Sequence, residues 1–411
     1  MHRPLSAFLL TSSSLLFGAA ATAQTPMQRV SPDAAGFSAE TLGEISALLD
    51  AYVEAGHMAG AVVGVARGGD IAYVDAAGFQ DLATRAPMTE RSLFRIYSMA
   101  KAVTAVGAMI LHEEGLFELD DPVAKYLPAF ERVQVLDEAT GTLRAPARPI
   151  TVRDLFLHTS GLSHRNDELY RNAQVRSRSI PMERFVDNVS AQPLLEDPGT
   201  AYRYSESTTV LGGLIEVWSG RPLDVFMQER VFGPLGMTDT GFWVEPGDVG
   251  RLTTAYRPRE SGGLEPFELE ALPFTVKPEL LEGTVGLVST VPDYLHFAQM
   301  LLDEGELGGA RILAPETVRM MVANGLSDQV VEGRGNGLGW GLANVNVVLD
   351  PEGLSAPSAV GEYTWNGSAG TVFWVNPEED MVIVIMLQRQ PANPEGLRDR
   401  VKTLVYDAIT D

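Results

Sequence analysis

The stretch LFRIYSMAKAVTAVGAMIL, residues 93–111, sets a lysine, Lys101, in an otherwise almost uncharged run. Apolar side chains cover all sides of the helix that it predicts, which is typical of a buried helix rather than a surface one. The chain has only four lysines among 31 basic residues, so it mostly uses arginine where a positive charge alone is needed. Unlike arginine, a lysine in apolar surroundings can lose its proton and act as a base. Lys101 is therefore predicted to have a chemical role.

A hydroxyl group stands three residues before this lysine, at Ser98. Positions i and i+3 of a helix lie on one face, so the hydroxyl comes within hydrogen-bond reach of the amine, as a serine nucleophile requires. The spacing by itself is common on solvated helix surfaces, and the buried setting is what favours a catalytic pair. The other lysines follow Pro122, Phe274 and Asp399 at the same spacing, so only Lys101 has its serine.

The first 23 residues have a short basic start, an apolar stretch from Ala7 to Ala21 and small residues before Gln24. This order is typical of a cleavable signal peptide and predicts a periplasmic or secreted protein. A membrane anchor is the alternative, but polar residues 11–14 interrupt the run, which is short for a spanning helix. We therefore expect no membrane anchor after signal cleavage. The chain has no cysteine, which excludes a disulfide framework and lipoprotein attachment.

Charge and composition narrow the classes of partner and cofactor. Removal of residues 1–23 takes away one arginine and no acid, which leaves 30 basic and 54 acidic residues and a net charge of −24. Such an acidic chain repels phosphate backbones and anionic membranes, so we expect no nucleic-acid partner. No sequence feature identifies a protein partner. The spacing His-Glu-x-x-His is absent and only six histidines are present, so we expect no metal and no other cofactor.

Strand patterns occur near both ends of the chain, and a Pro-rich region with short helical patterns separates them. This order predicts an α/β fold, an α+β sandwich, in a single domain at 24–411. An antiparallel sheet flanked by helices would use about 38–115 and 285–411, with a mostly helical subdomain inserted at about 116–284. The predicted strands are a hairpin at 61–79 around Gly68-Gly69 and runs at 337–349, 371–376 and 381–388. The predicted helices are the buried one in 93–111 and those at 38–55, 152–158, 208–219, 292–303, 315–323 and 394–408.

Five segments, in order, resemble the serine hydrolases with the fold of class C β-lactamases, which include penicillin-binding carboxypeptidases and esterases. The similarity runs from about residue 38 to the end, and it implies a β-lactamase/transpeptidase-like fold. The segments are YSMAKAVTA (97–105), ITVRDLFLHTSGL (150–162), DPGTAYRYSESTTVLGGLIE (197–216), GLVSTVPDYLHFAQMLL (286–302) and YTWNGSAGTVFWVNPEEDMVIVIMLQ (363–388).

The resemblance implies a catalytic role for three side chains. Ser98 would be the acylated nucleophile and Lys101 its activating base. Tyr204 matches the family's motif tyrosine, whose phenol helps to deprotonate the serine and returns a proton to the leaving group. Tyr202 lies two positions away and is the alternative for that role. The backbone amides of Ser98 and Ser368 would form the oxyanion hole, in which fixed N–H donors stabilise the charge of the tetrahedral state.

Two departures from the family pattern concern substrate binding. The third motif is Trp365-Asn366-Gly367, where the β-lactamases carry a lysine that helps to hold the antibiotic's carboxylate. Gly367 allows close approach of the backbone, and Trp365 favours apolar substrates, as in the esterase branch of the family. The second departure is Glu206 at the position of an asparagine that contacts the substrate. Glu206 could pair with Lys101 and raise its pKa, or it could point away.

These residues predict an exported serine hydrolase that forms an acyl-enzyme on Ser98. Its expected partner is a small-molecule ester or amide, and hydrolysis of small or apolar carboxylic esters is the expected activity. The alternative is a β-lactamase or D-amino-acid peptidase acting on β-lactams or peptidoglycan peptides, if an arginine elsewhere supplies the missing cation. A second alternative is a non-catalytic binding homologue, for which Glu206 is the best support. The Gly-x-Ser-x-Gly elbow of another serine-hydrolase fold is absent.

Overall fold

A computed structural model describes residues 27–137, 139–164, 167–268 and 270–410 of the protein. The predicted signal peptide, residues 1–23, lies outside the described residues. The helices are α1 (Ala39–Glu54), α2 (Ala100–Glu113), α3 (Val152–Leu157), α4 (Glu168–Asn172), α5 (Met182–Ser190), α6 (Ser207–Ser219), α7 (Leu223–Met227), α8 (Val291–Leu302), α9 (Pro315–Val322), α10 (Asp328–Arg334) and α11 (Leu397–Asp407). Among the described residues, no helix combines the length and the apolar character that crossing a bilayer requires.

One sheet of eight strands dominates the structure, in the order β12-β13-β14-β15-β16-β1-β2-β3, and all its described pairs are antiparallel. Four two-stranded pairs lie outside it. The strands are β1 (Gly60–Arg67), β2 (Asp70–Asp81), β3 (Ala86–Pro87), β4 (Phe94–Arg95), β5 (Val135–Asp137), β6 (Thr142–Arg144), β7 (Tyr256–Pro258), β8 (Leu264–Pro266), β9 (Val288–Ser289), β10 (Glu306–Leu307), β11 (Ala310–Arg311), β12 (Leu338–Trp340), β13 (Asn346–Val348), β14 (Tyr363–Asn366), β15 (Val372–Asn376) and β16 (Met381–Leu387).

The central strands are apolar throughout because both faces of the sheet are covered. Alternate residues of β16 point to opposite sides, so Val382 and Val384 join a core with α2 and α8, whereas Ile383 and Ile385 join a second core with α1 and α11. Gly64 of β1 lets α8 approach closely, since a Cβ there would lie 2.6 Å from Cγ1 of Val291. This arrangement confirms the predicted fold class, an antiparallel sheet flanked by helices.

Side-chain caps set the starts of several helices. Ser38 caps α1, Thr151 forms a reciprocal capping box with Asp154 at α3, and Thr290 caps α8. The predicted helix and strand positions differ from the observed ones by at most three residues, apart from the run at 337–349 and the buried helix. The buried helix begins at Ala100, so Ser98 lies in the 3₁₀ turn before it and not in the helix itself. The run at 337–349 is a pair of strands, β12 and β13, because Asn344 takes a left-handed conformation with φ 57° and reverses the chain.

The large sheet draws its strands from residues 60–87 and 338–387, and α3 to α7 lie in the chain between them. The predicted division into a sheet part and an inserted helical part stays a prediction. The stretch that carries Lys101 forms β4, a short 3₁₀ turn at Tyr97–Met99 and then α2. Residues 100–111 of α2 are all buried, which confirms the burial expected from its all-round apolar pattern.

Candidate active site

Ser98 and Lys101 meet at the junction between the 3₁₀ turn and α2. Ser98 is half-buried, and the Lys101 side chain has no solvent exposure. Nζ of Lys101 lies 3.2 Å from Oγ of Ser98 and donates a second hydrogen bond, also of 3.2 Å, to the carbonyl oxygen of Thr284. The sequence-predicted pair is therefore brought together, with a neutral backbone acceptor holding the amine on its other side.

The segment that supplies this acceptor is fixed by two threonine hydroxyls. Thr104 of α2 donates to the carbonyl oxygen of Gly283 at 2.9 Å, and Thr209 of α6 donates to Oγ1 of Thr284 at 2.7 Å. Gly283 is required for this close packing, because a Cβ there would lie 2.6 Å from the carbonyl oxygen of Thr208. The position of the Lys101 amine thus depends on three segments far apart in the sequence.

Tyr204 lies in the loop before α6 and packs its ring against the amine of Lys101. The distance from Nζ to the ring centre is 4.4 Å. The next residue, Ser205, donates its backbone N–H to Nδ1 of the buried His158 at 3.3 Å, and the His158 ring is 4.9 Å from that of Tyr204. Of the two tyrosines considered for the catalytic role, Tyr204 is therefore the one whose ring contacts Lys101.

His158 supports this loop as a neutral ring. Burial, followed by the charge of Lys101, holds the pKa of His158 well below its ordinary value. Its backbone is left-handed, with φ 52°, at the C-terminal end of α3. Nδ1 accepts the Ser205 N–H, so the ring proton is assigned to Nε2. His158 is thus a structural support of the candidate site.

A cluster of aromatic rings extends from Tyr204 along one side of the site. Trp365 of β14 lies 5.3 Å from Tyr204 and 4.6 Å from Trp340, where the two indole planes are perpendicular at 89°. Trp340 in turn lies 5.2 Å from Tyr202. Edge-to-face packing of this kind is favourable for aromatic rings and forms a firm apolar wall.

The motif after Trp365 lies against the backbone that leads to Ser98. Asn366 is half-buried and pairs with Val372 in the sheet. A Cβ on Gly367 would lie 2.4 Å from the carbonyl oxygen of Ile96, so only glycine fits. The hydroxyl of Thr371 donates to the same carbonyl at 3.1 Å. The β14–β15 turn is therefore tied to the residue two positions before the candidate nucleophile.

Ser368 lies in this turn, and its side chain is exposed. Its backbone amide is the one predicted to serve the oxyanion hole. On the other side, Tyr97 has φ 44°, a left-handed conformation that costs energy for a residue with a Cβ. The strained residue comes immediately before Ser98 and sets the direction in which the following amide and hydroxyl project. The roles of the Ser98 and Ser368 amides stay predictions.

Glu206 is fully buried at the start of α6. Its Oε1 lies 3.9 Å from Nε2 of His164, whose ring is 5.6 Å from Tyr204. The sequence left two orientations open for Glu206, toward Lys101 or away from it. In the structure its carboxylate has a partner in His164, and Lys101 bonds to Ser98 and Thr284. Glu206 is therefore a neighbour of the candidate site, and its part in substrate binding stays a prediction.

Sequence reasoning missed two residues of this site. Thr284 contributes only a backbone oxygen, so its side-chain type gave no signal, and Trp340 is isolated in the sequence. His158 lies beside the segment TSGLS, and the sequence predicts a structural or surface role for this histidine and not a catalytic one. Within the described part of the chain, no group of three or more His, Asp or Glu side chains could hold a metal ion.

Comparisons with known proteins agree with this geometry. The model of the family described as Beta-lactamase matches residues 45–407. Protein Rv1367c of Mycobacterium tuberculosis is 35% identical over 357 residues, which cover 82% of this chain and 88% of that protein. Esterase EstB of Burkholderia gladioli is 27% identical over 408 residues, which cover 93% of this chain and 99% of EstB. The solved structure of EstCE1, a hydrolase with promiscuous acyltransferase activity, aligns with a TM-score of 0.76 at 27% identity, covering 90% of this chain and 99% of that one.

Proposed function

The chain belongs to the Beta-lactamase family and is a serine hydrolase, and we propose that it cleaves carboxylic esters through an acyl-enzyme on Ser98. One observation carries the proposal: the Ser98 hydroxyl lies 3.2 Å from the amine of Lys101, which solvent does not reach. An esterase and a hydrolase with acyltransferase activity among the similar proteins support ester chemistry.

Acylation begins with the transfer of the Ser98 proton to the neutral amine of Lys101. Oγ then attacks the ester carbonyl carbon, and the carbonyl oxygen takes up the negative charge of the tetrahedral state. The amide N–H groups of Ser98 and Ser368 stabilise that charge because they are fixed donors and need no reorganisation. The backbone oxygen of Thr284 accepts a hydrogen bond from the amine in both protonation states, which keeps Nζ aligned with Oγ.

Collapse of the tetrahedral state breaks the bond to the alcohol. The leaving oxygen takes a proton from the Tyr204 hydroxyl or the Lys101 ammonium, and the acyl group stays on Ser98. In deacylation a water molecule loses a proton to the same groups and attacks the acyl carbon. The bond to Oγ of Ser98 then breaks, Oγ takes that proton back from Lys101 or Tyr204, and the carboxylic acid leaves. Nζ of Lys101 lies 4.4 Å from the centre of the Tyr204 ring, so the ammonium charge stands close to the phenol that we propose as the second proton-transferring group.

The aromatic wall supports a preference for small or apolar acyl and alcohol groups. Trp365 presents an indole where a β-lactamase would present an ammonium, so the site offers apolar contact instead of a counter-charge at that point. The predicted signal peptide further supports our proposal that the enzyme works in the periplasm or outside the cell.

A second candidate function, cleavage of β-lactams or peptidoglycan peptides, requires a cation for the substrate carboxylate. Arg334 favours it. Its guanidinium carbon lies 4.2 Å from the ring centre of Tyr202, and it donates to the neutral oxygens of Gly339 (3.0 Å) and Asn346 (2.7 Å). No carboxylate of the described residues lies within 4.0 Å of it. A carboxylate-bearing substrate could therefore meet a guanidinium that has no acidic partner in the described chain.

Parallel assays with p-nitrophenyl butyrate and a chromogenic cephalosporin test the proposal, with Ser98→Ala as the blank. We expect ester turnover that Ser98→Ala abolishes, and little cephalosporin turnover. Efficient cephalosporin turnover that falls about tenfold or more in Arg334→Gln, with ester turnover retained, would instead support the second candidate. Unchanged ester turnover in Ser98→Ala would overturn the assignment of the nucleophile.

Intact mass after incubation with the activated ester separates an enzyme from a binding homologue. An enzyme gives a transient adduct of one acyl group that disappears as product forms. A chain that has lost the chemistry gives no adduct, and a receptor gives a stable adduct without turnover. Either of the last two results would contradict the hydrolase proposal.

A further inference from the structure

The peptide unit that joins Gly367 to Ser368 carries the predicted second donor of the oxyanion hole on its nitrogen. Its carbonyl oxygen faces a different group, Nη2 of Arg398 in α11, at 3.4 Å. Nη2 of Arg398 also donates to the carbonyl oxygen of Thr371 at 3.2 Å. One guanidinium thus contacts both ends of the β14–β15 turn from the side of α11.

Among the described residues this guanidinium forms no ion pair, although the charge of the neighbouring Asp399 acts on it and opposes the effect of burial on its pKa. No carboxylate of the described residues lies within 4.0 Å of it, and its Nε is buried without a hydrogen-bond partner among them. Burial lowers the pKa of Arg398 to about 10. A cation in such a place is costly to the fold unless neutral dipoles stabilise it, and the carbonyl groups of Gly367 and Thr371 are the dipoles that it contacts.

The turn closes without this arginine. Gly367 donates its N–H to the carbonyl oxygen of Thr371 at 2.8 Å, and Gly370 donates to the carbonyl oxygen of Gly367 at 3.2 Å. The Thr371 hydroxyl bonds to Ile96, beside the nucleophile. The contacts of Arg398 are therefore additional to those that shape the turn, and their effect falls on the electrostatics and orientation of the peptide.

A trans peptide unit is planar, and its C=O and N–H bonds point in opposite directions. A cation held at the oxygen therefore fixes the N–H on the far side of the plane, away from α11. It also draws electron density toward the oxygen, which makes the N–H a stronger donor, since hydrogen bonds in a chain polarise one another. Both effects increase as negative charge develops on a substrate oxygen at that N–H.

We propose that Arg398 is a positioning residue of the oxyanion hole, which orients and polarises the Gly367–Ser368 peptide so that the Ser368 amide stabilises the tetrahedral oxyanion. The inference rests on the proposed acyl-enzyme function. Arg398 touches neither substrate nor nucleophile, so it contributes to the transition state more than to substrate binding.

The test compares Arg398→Gln and Arg398→Lys with Arg400→Gln, a control at an exposed arginine two positions along the same helix. Active sites are counted by stoichiometric labelling with a fluorophosphonate, and rates are given per active site. For Arg398→Gln we expect kcat on p-nitrophenyl butyrate to fall about tenfold to hundredfold, with KM nearly unchanged. This loss of rate should not exceed the loss caused by removing a whole oxyanion-hole donor. Arg398→Lys should recover part of the rate, and Arg400→Gln should match the wild type.

A tetrahedral inhibitor provides the readout that a merely structural role would not move. The inhibition constant of butylboronic acid, whose serine adduct resembles the transition state, should rise in Arg398→Gln by the factor by which kcat/KM falls. Provided that Ser98→Ala is inactive, either of two results for Arg398→Gln would overturn the inference. One is a kcat/KM equal to that of the wild type, and the other is a lowered kcat/KM with an unchanged inhibition constant for butylboronic acid. Turnover by Ser98→Ala would overturn the proposed function itself.

Discussion

Lys101 occupies a site in which opposing effects act on its amine. Complete burial disfavours the ammonium form, whereas the face of the Tyr204 ring, 4.4 Å from Nζ, stabilises a cation. Ser98 and the Thr284 carbonyl group, which hydrogen-bond to the amine, are both neutral groups. An amine in this balance can take a proton from Ser98 and give it back, which both halves of an acyl-transfer cycle require.

At the same scale, the two neighbouring tyrosines should differ in their contribution to catalysis. Tyr204 contacts the Lys101 amine, whereas Tyr202 packs on Arg334 and Trp340. Tyr204→Phe removes the hydroxyl that we propose transfers a proton, so we expect kcat to fall about a hundredfold or more. Tyr202→Phe, the matched control, should change kcat by less than about fivefold. Steady-state kinetics on p-nitrophenyl butyrate decide between them, and equal losses in both variants would contradict the assignment of Tyr204.

At the scale of elements, helix starts determine where functional segments begin. Thr290 caps α8, and Asp293 in the first turn of that helix accepts hydrogen bonds from the Asp239 amide and the Thr240 hydroxyl, both at 2.8 Å. These bonds join α8 to the strand-like segment at Gly241, which pairs with Val288. The start of α8 therefore anchors the chain that leads from β9 back to the core.

The carboxyl group of Asp293 should make stability depend on pH. Burial raises its pKa to about 7, against the hydrogen bonds from Thr240 and Asp239. The folded-state value lies above the unfolded one, so the stabilisation is complete below the unfolded pKa and is lost as the pH rises through about 7. Asp293→Asn keeps an acceptor oxygen and removes the titration.

We therefore expect the free energy of unfolding of Asp293→Asn to improve relative to the wild type between pH 5 and pH 8, by on the order of 1–3 kcal/mol. Urea denaturation of both proteins at the two pH values measures the change. A constant difference between them would show that Asp293 has the same charge in the folded and unfolded states over this range.

Two glycines should respond oppositely to the same substitution. Gly43 lies on the exposed face of α1, and a Cβ there has nothing within 4 Å, whereas a Cβ on Gly64 of β1 would meet Val291 at 2.6 Å. Gly43→Ala should raise the free energy of unfolding by about 0.5–1 kcal/mol, because alanine loses less backbone entropy in a helix. Gly64→Ala should lower it through overpacking. Urea denaturation of the two variants tests both signs, and a destabilised Gly43→Ala would contradict the packing described for α1.

At the scale of the whole molecule, the two ends of the chain close one sheet. β1 pairs with β16 over seven residue pairs, and α1 and α11 cover the same face. A buried ion pair joins α11 to the residue that precedes β14: Nζ of Lys402 lies 2.5 Å from Oε1 of Glu362, and the Tyr406 hydroxyl donates to Oε2 at 2.6 Å. α11 also carries Arg398, so this pair fixes the helix that supports the β14–β15 turn.

Removal of one partner of this pair should weaken the whole fold. Lys402→Met leaves the Glu362 carboxylate buried without its cation, and we expect a loss of about 3–5 kcal/mol in the free energy of unfolding. Lys125→Met is the matched control, since Lys125 pairs with Asp121 at the surface, and it should cost far less. Urea denaturation compares them. The double variant Lys402→Met with Glu362→Leu should recover much of the loss, and no recovery would mean that lost packing, not the uncompensated charge, is the cause.

The sequence by itself predicted most of the helices and long strands and pointed to Ser98 and Lys101 as a pair. Local signals were sufficient, because the apolar pattern of α2 and the three-residue spacing of Ser98 and Lys101 both act over a short stretch of chain. The run at 337–349 shows the limit of such signals, since its reversal at Asn344 depends on a left-handed residue that periodicity does not reveal.

Only the tertiary structure decided what surrounds that pair. Three groups come from distant parts of the chain: the ring of His158, the carbonyl group of Thr284 and the guanidinium of Arg398. They follow Ser98 by 60, 186 and 300 residues. A backbone oxygen has no residue type, and a single histidine or arginine has no pattern, so neither leaves a trace in local sequence. The orientation of Glu206 toward His164 was decided in the same way, by which buried groups the folded chain placed within reach of one carboxylate.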